Sequence, residues 1–381
     1  MNKEIYKKIK NNIDNLSKPL DGLGVFEDMI AKMGAILEDE EVRIDKSALL
    51  VFISDNGIIE EGVSQSSEEV TLLVARQLGL HNTSVCHMAE EAGVDVFPYD
   101  IGIKLSVRIN GVDSDYHISN GTHNFLKQPA MTVEECRQAV AVGRKLARTY
   151  MEKGYKTLLL GEMGIGNTTT SAAIIASILG LKSVEICGRG AGLSDAGLAR
   201  KIYVIDEAID KYSLYNKDPM EVLRTVGGFD IAAMVGVMLE AAASNCEFFT
   251  DYDFNDIILD SNENIIKYDK ENLLNSKENR IKAVHIPVIL DGLITAAAAL
   301  IAVRIDPKVK EVIFLSHNGR EKGIKEVADE LNMKPVIHAD LALGEGTGAV
   351  MLMQLLKCPL AVYHASSTFA QSNIEAYRRF T

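Results

Sequence analysis

Short apolar runs alternate along the chain with longer segments in which apolar residues recur at helical spacing. The runs typical of buried strands are "ALLVFISD" (48–55), "VDVFPYDIG" (94–102), "KTLLLGE" (156–162), "HIPVILDG" (285–292), "EVIFLSH" (311–317) and "KPVIHADL" (334–341). Windows such as "TVEECRQAVAVGRKLARTYMEKG" (132–154) predict helices between them. This alternation predicts an α/β fold with a parallel sheet, helices on both of its faces, and ligands bound at the carboxyl ends of the strands.

One stretch, residues 248–282, breaks this pattern because it is rich in Asn, Asp, Lys and Tyr. Two strand-like pieces flank the turn-forming "DSNEN", which predicts a surface insertion with a hairpin between two core elements. Four side chains there have the spacing of a calcium loop, but Ile265 stands where the sharp turn requires glycine, so we favour a solvated loop. The four are Asp260, Asn262, Asn264 and Glu271.

Size and charge narrow the class of protein. A chain of 381 residues is long enough for one large domain with an accessory domain. Hydrophobic residues make up 47% and aromatic residues 6%, with no Trp, which suits a layered α/β protein. The formal net charge of -13 repels phosphate backbones and anionic lipid, so we expect neither nucleic acid nor a membrane as a partner.

The cysteines and histidines indicate neither disulfides nor a metal site. Five scattered cysteines form no CxxC pair, and the eight histidines have no ligand-like spacing. The amino-terminal stretch lacks an apolar signal core, and the longest apolar stretch, residues 292–303, is too short to span a bilayer. We therefore expect a soluble protein in the reducing cytoplasm, with no metal.

The segment "GEMGIGNTTT" (161–170) follows a predicted strand and precedes a predicted helix. Gly164 and Gly166 allow a ligand to approach the backbone, Asn167 and Thr168 are predicted to cap the helix, and the unpaired amides there favour an anion. The segment lacks the Lys of a nucleoside-triphosphate loop and the GxGxxG spacing of a dinucleotide loop. From spacing alone, an anion site and a bare glycine turn are equally favoured.

Two further glycine segments are candidates for chemistry. "GRGAGLSDAGLARK" (188–201) predicts either a second phosphate-facing turn, with Arg189 and Lys201, or a loop with solvated charges. "LGEGTGAV" (343–350) places Glu345 between two glycines before a helical run, as a dipole partner or as an exposed general base. "SDNGIIEEGVS" (54–64) and "VGGFD" (226–230) predict further turns.

Taken together, these segments resemble the nicotinate-nucleotide:dimethylbenzimidazole phosphoribosyltransferase family of cobalamin biosynthesis. The resemblance runs along nearly the whole chain, in the family's order. It rests on "LSKPLDGLGVFED", "SDNGIIEEGVS" with "EEVT", "PAMT", "GEMGIGNTTTSAA", "GRGAGLSDAGLARK", "VGGFDIAAMVG", "PVILDG", "SH" followed by "EKG", "LGEGTGA" and a closing "SNI".

The resemblance implies a fold, a reaction and an assembly. The fold is a Rossmann-like parallel sheet flanked by helices, with a small helical domain from both chain ends, at 1–35 and 350–381, beside a large catalytic domain at 36–349. The reaction moves phosphoribose from nicotinate mononucleotide to 5,6-dimethylbenzimidazole or a related base, giving α-ribazole phosphate and nicotinate. The family needs no cofactor, and its members are homodimers.

Site residues follow from the resemblance by motif match. Glu345 corresponds to the general base, and Glu162 to a second carboxylate that assists base activation or stabilises positive charge on the ribose. The phosphate and nucleotide set is Gly164, Ile165, Gly166, Asn167, Lys201, Gly188, Gly190 and Gly319. The base pocket set is Ser66, Met163 and Leu343.

Departures from the family pattern leave the preferred base open. Gly319 stands where relatives carry a phosphate-side Ser, the segment after Ser66 lacks the usual Pro, and Val74 replaces a Gln near the base. Such a pocket would stack benzimidazole and would also accept adenine or a phenolic ring. A binding protein for nicotinate mononucleotide or a cobamide precursor is the alternative, but it would have no use for both carboxylates. A dinucleotide oxidoreductase would need a GxGxxG turn, which is absent from the sequence.

Overall fold

The computed structural model describes residues 1–105, 107–242, 258–259, 265–267 and 285–379. The helices there are α1 Lys3–Asp14, α2 Val25–Leu37, α3 Glu69–Gly79, α4 Ser84–Ala92, α5 Val133–Glu152, α6 Asn167–Leu179, α7 Ser183–Ile186, α8 Asp195–Tyr212, α9 Pro219–Val226, α10 Phe229–Ala241, α11 Leu293–Ile305, α12 Ile324–Glu330, α13 Thr347–Ala365 and α14 Phe369–Ser372. The strands are β1 Ser47–Ser54, β2 Val94–Gly102, β3 Thr157–Met163, β4 Ile258–Leu259, β5 Ile265–Lys267, β6 Val288–Leu290, β7 Ile313–Leu315, β8 His317–Asn318 and β9 Ile337–His338.

The central sheet has five parallel strands in the order β2-β1-β3-β6-β7. Every residue of β1 is buried, because helices cover both faces of the sheet and its strands are nearly continuous apolar runs. This arrangement confirms the predicted α/β fold. The chain adds β2 on one side of β1 and then β3 on the other, so the strand order reverses beside β1 and leaves a crevice at the carboxyl ends.

The prediction of a sixth strand in this sheet, at residues 334–341, is wrong. Only β9 is a strand there, and it pairs with β8 in a separate two-stranded parallel sheet. The segment is partly exposed rather than buried on both faces, and Pro335 has no N–H to donate to a ladder. It therefore lies beside the main sheet rather than in it.

Helices α5 and α10 pack with closely approaching backbones. A Cβ on Gly143 of α5 would lie 1.8 Å from the carbonyl oxygen of Ala233, and one on Gly236 of α10 would lie 2.0 Å from that of Val140. Helix α5 begins with a capping box, in which the Thr132 side chain accepts a backbone N–H of the helix and a helix Glu side chain accepts that of Thr132. This packing fixes the first turn of α10, which reaches the crevice.

Helical segments from both chain ends pack together. The N–H of Ser17 donates to the carbonyl of Ser367 at 2.9 Å, and the N–H of Phe369 donates to that of Asn15 at 3.0 Å. Helix α13 begins at the crevice and ends among these segments. The domain boundaries predicted at residues 35 and 350 stay a prediction.

The predicted insertion at 248–282 is described only at two strands. Strands β4 and β5 pair antiparallel, with Ile258 opposite Lys267. The rest of the insertion, with the four residues at calcium-loop spacing, lies outside the described residues. Across the described ranges, none of the helices has both the length and the apolarity needed to cross a membrane.

Candidate active site

A cavity of about 220 Å³ opens at the carboxyl ends of β1, β3, β6 and β7. Most of the predicted site residues line it, although they come from distant segments of the chain. Those in the lining are Glu162, Met163, Gly164, Ile165, Gly166, Asn167, Gly190, Leu343 and Glu345. The structure therefore brings the glycine loop after β3 together with the Glu345 turn before α13.

Lys201 and Gly188 lie behind the cavity wall. Lys201, on α8, is fully buried, and its Nζ donates to Thr168 Oγ1 at 2.9 Å and to the carbonyl of Gly188 at 3.3 Å. Burial lowers the pKa of this ammonium. A Cβ on Gly188 would lie 2.1 Å from Glu321 Oε2, so Gly188 packs against the end of that side chain. Thr168 and Glu321 line the cavity in their place.

Ser66 and Gly319 also lie outside the lining. Ser66 donates its N–H to Ser64 Oγ at 3.1 Å, and Ser64 and Gln65 face the cavity instead. A Cβ on Gly319 would lie 2.8 Å from the carbonyl of Leu341. Gly319 is therefore packed against the loop that carries the cavity wall.

The glycine loop is shaped by close contacts with β1. A Cβ on Gly164 would lie 2.4 Å from the carbonyl oxygen of Ser54, and Gly166 has a φ of 98°, in the left-handed region. The N–H of Ile165 is already bonded to Thr71 Oγ1 at 3.3 Å. The loop therefore needs its glycines, and not all of its amides are left for an anion.

The prediction that Asn167 and Thr168 cap α6 is wrong. The residue at the N-cap is Gly166, with no side-chain capping bond. The Asn167 carboxamide instead donates one hydrogen to Glu162 Oε2 and the other to Asp230 Oδ2, at 3.1 Å from the latter. A cap would need the Asn167 side-chain oxygen to accept a helix N–H, whereas Asn167 lies inside the helix and its NH2 group donates to two buried carboxyl groups.

Asp230, the last residue of the "VGGFD" motif, lies beside the site although nothing in that motif predicts a site role for it. Asp230 lies in the first turn of α10, is fully buried, and accepts the N–H of Ile231 at 2.9 Å. A Cβ on Gly228 would lie 2.5 Å from Asp230 Oδ1. The two glycines before Phe229 and Asp230 indicate that the backbone lies close to the Asp230 carboxylate. The sequence does not indicate which side chains that carboxylate contacts.

Glu162 and Asp230 both have raised pKa values. Burial, followed by the charges of Asp230 and Asp291, raises the pKa of Glu162 to about 8, and the bond from Asn167 only partly opposes the rise. Burial raises the pKa of Asp230 to about 6. Of the two carboxyl groups, Glu162 therefore holds a proton more readily than Asp230.

Glu345 lies in a turn of three successive residues with positive φ. Gly344, Glu345 and Gly346 have φ values of 85°, 59° and 95°. Such a backbone is unstrained for the glycines but costs about 1–2 kcal/mol at Glu345. Burial raises the pKa of the Glu345 carboxyl, a hydrogen bond with Thr83 lowers it, and the charge of Asp291 raises it. Glu345 Oε2 is buried with no hydrogen-bond partner within the described part of the chain.

Asp291, just after β6, holds the end of this turn. Its two carboxylate oxygens accept the N–H of Gly346 at 3.0 Å and of Gly348 at 2.7 Å. His317 Nδ1 lies 3.9 Å from Asp291 Oδ1 and 2.9 Å from Ser316 Oγ. Burial raises the pKa of Asp291 and lowers that of His317. Both residues line the cavity, and both belong to motifs, "PVILDG" and "SH", whose residue pattern predicts no site role for them.

An acidic cluster lies at the chain ends, away from the cavity. Asp14, Asp21 and Glu27 are the residues that the described ranges bring together at metal-ligand distance. Arg379 pairs with Asp14 and Asp21 at 2.8 Å, and Lys18 pairs with Glu27 at 2.6 Å. Each of the three carboxylates is therefore already in an ion pair.

Known proteins resemble this chain over nearly its whole length. A family model described as a phosphoribosyltransferase matches residues 1–251 and 280–374. A nicotinate-nucleotide–dimethylbenzimidazole phosphoribosyltransferase of Acetivibrio thermocellus is 36% identical over 379 residues, covering 98% of this chain and 96% of its own. One of the same name from Clostridium perfringens is 34% identical, covering 98% of this chain and 92% of its own. The crystal structure of CobT from Thermus thermophilus matches with a TM-score of 0.82 at 29% identity, covering 98% of this chain and 99% of that one.

Proposed function

The chain belongs to the nicotinate-nucleotide–dimethylbenzimidazole phosphoribosyltransferase family, and from that premise we propose how its cavity performs the transfer. The enzyme moves phosphoribose from nicotinate mononucleotide to 5,6-dimethylbenzimidazole, a step of cobalamin synthesis. A nitrogen of the benzimidazole attacks the anomeric carbon, and the bond from that carbon to the pyridinium nitrogen breaks. Nicotinate then leaves with a neutral ring nitrogen, so the leaving group needs no acid.

We assign the role of general base to Glu345. The attacking azole must lose its N–H proton, and a carboxylate in the cavity with an unpartnered oxygen is placed to accept it. Burial raises the pKa of Glu345 and so makes its carboxylate a stronger base. The glycines beside it allow the left-handed turn that brings Glu345 to the cavity wall.

We place the phosphate of the mononucleotide against the glycine loop at Gly164, Ile165, Gly166 and Asn167. The start of α6 offers the positive end of a helix dipole, although the N–H groups of Ile165 and Asn167 are already bonded to Thr71 Oγ1 and to the carbonyl of Gly164. Lys201 places a positive charge behind the cavity wall, where its ammonium donates to Thr168 Oγ1. Gly188, Gly190 and Gly319 permit the neighbouring loops to approach closely.

We place the aromatic base against Met163 and Leu343, with Ser66 at the margin of that pocket. Met163 is half-buried in the lining, and Leu343 is 52% exposed at its edge. We also propose a homodimer, which the family resemblance implies. The four cysteines in the described ranges are free, which supports a reducing compartment such as the cytoplasm.

The observation that carries this proposal is that one cavity holds Glu162, Glu345 and the amino-terminal turn of α6. The test is to incubate the protein with nicotinate mononucleotide and a panel of benzimidazoles, adenine and phenols, and to follow nicotinate release and the riboside product. Product with dimethylbenzimidazole is expected, and no product with any base would overturn the function.

The variant Glu345→Gln separates an enzyme from a binding protein. We expect turnover to fall by about 10²-fold or more while nicotinate mononucleotide still binds. Unchanged turnover would remove Glu345 from the role of base.

A further inference from the structure

Glu162 has two oxygens with different surroundings. Oε2 accepts a hydrogen from the Asn167 carboxamide, while a Cβ on Gly344 would lie 3.1 Å from Oε1. Gly344 is the residue immediately before Glu345. The orientation of the Glu162 carboxyl group therefore determines which of its oxygens faces the turn that carries Glu345.

The direction of the Asn167 carboxamide is itself set by a third residue. Its second hydrogen goes to Asp230 Oδ2 at 3.1 Å, and the other oxygen of Asp230 accepts the N–H of Ile231. Gly164 lies close by, since its Cβ would be 3.3 Å from Asp230 Oδ2. Asp230 is outside the cavity lining, so it contacts no substrate and acts only through its neighbours.

We propose that Asp230 is a positioning residue for Glu162, acting through the Asn167 carboxamide, which it orients so that Glu162 Oε1 faces the Glu345 turn. This inference rests on the proposed function. It gives a role to "VGGFD", whose two glycines and Asp otherwise have none in the transfer. The Asp must be a hydrogen-bond acceptor at full burial, and the preceding Gly228 must leave it room.

The same arrangement sets the charge of Glu162. The ionisable groups that face it are acidic: Asp230 from α10, Asp291 after β6 and Glu345 before α13, while Asn167 from α6 donates a hydrogen bond. The three acids favour a proton on Glu162, and the Asn167 bond opposes it. Glu162 then faces the Glu345 turn in its neutral form, and turnover should fall when it loses this proton at alkaline pH.

The variants Asp230→Asn and Asn167→Leu test this positioning role. They should move the alkaline limb of the kcat–pH profile in opposite directions. Removing the charge of Asp230 eases ionisation of Glu162, so the limb of kcat should move to lower pH by about one unit. Replacing the donor of Asn167 by a nearly isosteric apolar group hinders ionisation, so the limb should move to higher pH. Both variants should lower kcat at pH 7 by about tenfold or more, because the Glu162 carboxyl loses its fixed direction.

Glu240→Gln is the matched control. It removes the same charge from the same helix, but Glu240 pairs with Arg144 and Arg148 at its far end. Its pH profile should superimpose on that of the wild type.

The outcomes distinguish this inference from the proposed function. If the wild type releases no nicotinate, the function fails before any variant is compared. If the wild type is active and both variants keep the alkaline limb of its kcat–pH profile, Asp230 does not position Glu162, and the proposed function stands. A variant with little activity is assessed instead by titrating Glu162 with carboxyl NMR, where an unmoved pKa would equally overturn the inference.

Discussion

Gly161 and Glu345 are in backbone contact: a Cβ on Gly161 would lie 2.4 Å from the carbonyl oxygen of Glu345. Gly161 belongs to the central strand β3, and Glu345 to the turn before α13. The strand that ends in the glycine loop thus also supports the turn that carries the proposed base. A side chain as small as methyl would separate the two.

We therefore expect Gly161→Ala to lower both turnover and stability. The added methyl must push the Glu345 turn away, which should cost about 1–3 kcal/mol in the free energy of unfolding and lower kcat by about tenfold or more. Urea denaturation and steady-state kinetics measure the two effects. Leu159→Val on the same strand is the control, because it costs stability by opening a small void without touching the turn. Equal losses of kcat in both variants would contradict the contact's importance.

Glu345→Gly should make the protein more stable and inactive. Glycine adopts the φ of 59° without strain, so we expect a gain of about 1 kcal/mol in the free energy of unfolding relative to Glu345→Gln. The Gln variant loses the same charge but keeps the strained backbone, so the difference between the two isolates the backbone cost. A Gly variant no more stable than the Gln variant would mean that the turn is not strained.

Glu162 should make stability depend on pH in a defined direction. Its pKa is about 8 in the folded protein, against an ordinary value of 4.5, so the folded state keeps a proton that the unfolded state has lost between those values. The free energy of unfolding should then fall as pH rises through this window and become level above it. Glu162→Gln removes the titration, so its stability relative to the wild type should improve between pH 5 and pH 8 by about 3–4 kcal/mol. Parallel stability curves for the two proteins over that range would contradict the raised pKa.

Lys201→Met should weaken binding of the mononucleotide without unfolding the protein. Met fills the buried stem but lacks the charge behind the phosphate wall, so we expect KM for nicotinate mononucleotide to rise about tenfold or more. Lys211→Met on the same helix loses bonds to the carbonyls of Leu126 and Lys127 and serves as the control. If KM is the same in both variants, Lys201 has only a structural role.

The sheet could be predicted from the sequence because burial on both faces makes β1 and β3 continuous apolar runs. The glycine loop and the Glu345 turn could be found for a similar reason. Closely packed or left-handed backbone requires glycine, and glycines are visible in a sequence. The family resemblance then indicated which of these turns belong to one site.

Asn167 and Asp230 show where such prediction ends. Asn167 precedes an apolar helix and so fits a cap, but its partners come from β3 and α10, and nothing local reveals them. Asp230 faces the glycine loop only because α5 and α10 pack at glycine distance. Contacts of this kind depend on how whole helices pack, and the spacing of residues in the sequence does not predict that packing.

Helix α13 joins the Glu345 turn at one end to the paired chain ends at the other. Since the turn needs α13 behind it, the cavity wall is completed by a segment that the ribosome makes about 180 residues after the glycine loop at 164–167. A growing chain can therefore hold the glycine loop long before it holds Glu345. A chain that stops between these two segments would carry the phosphate wall without the group that starts the reaction.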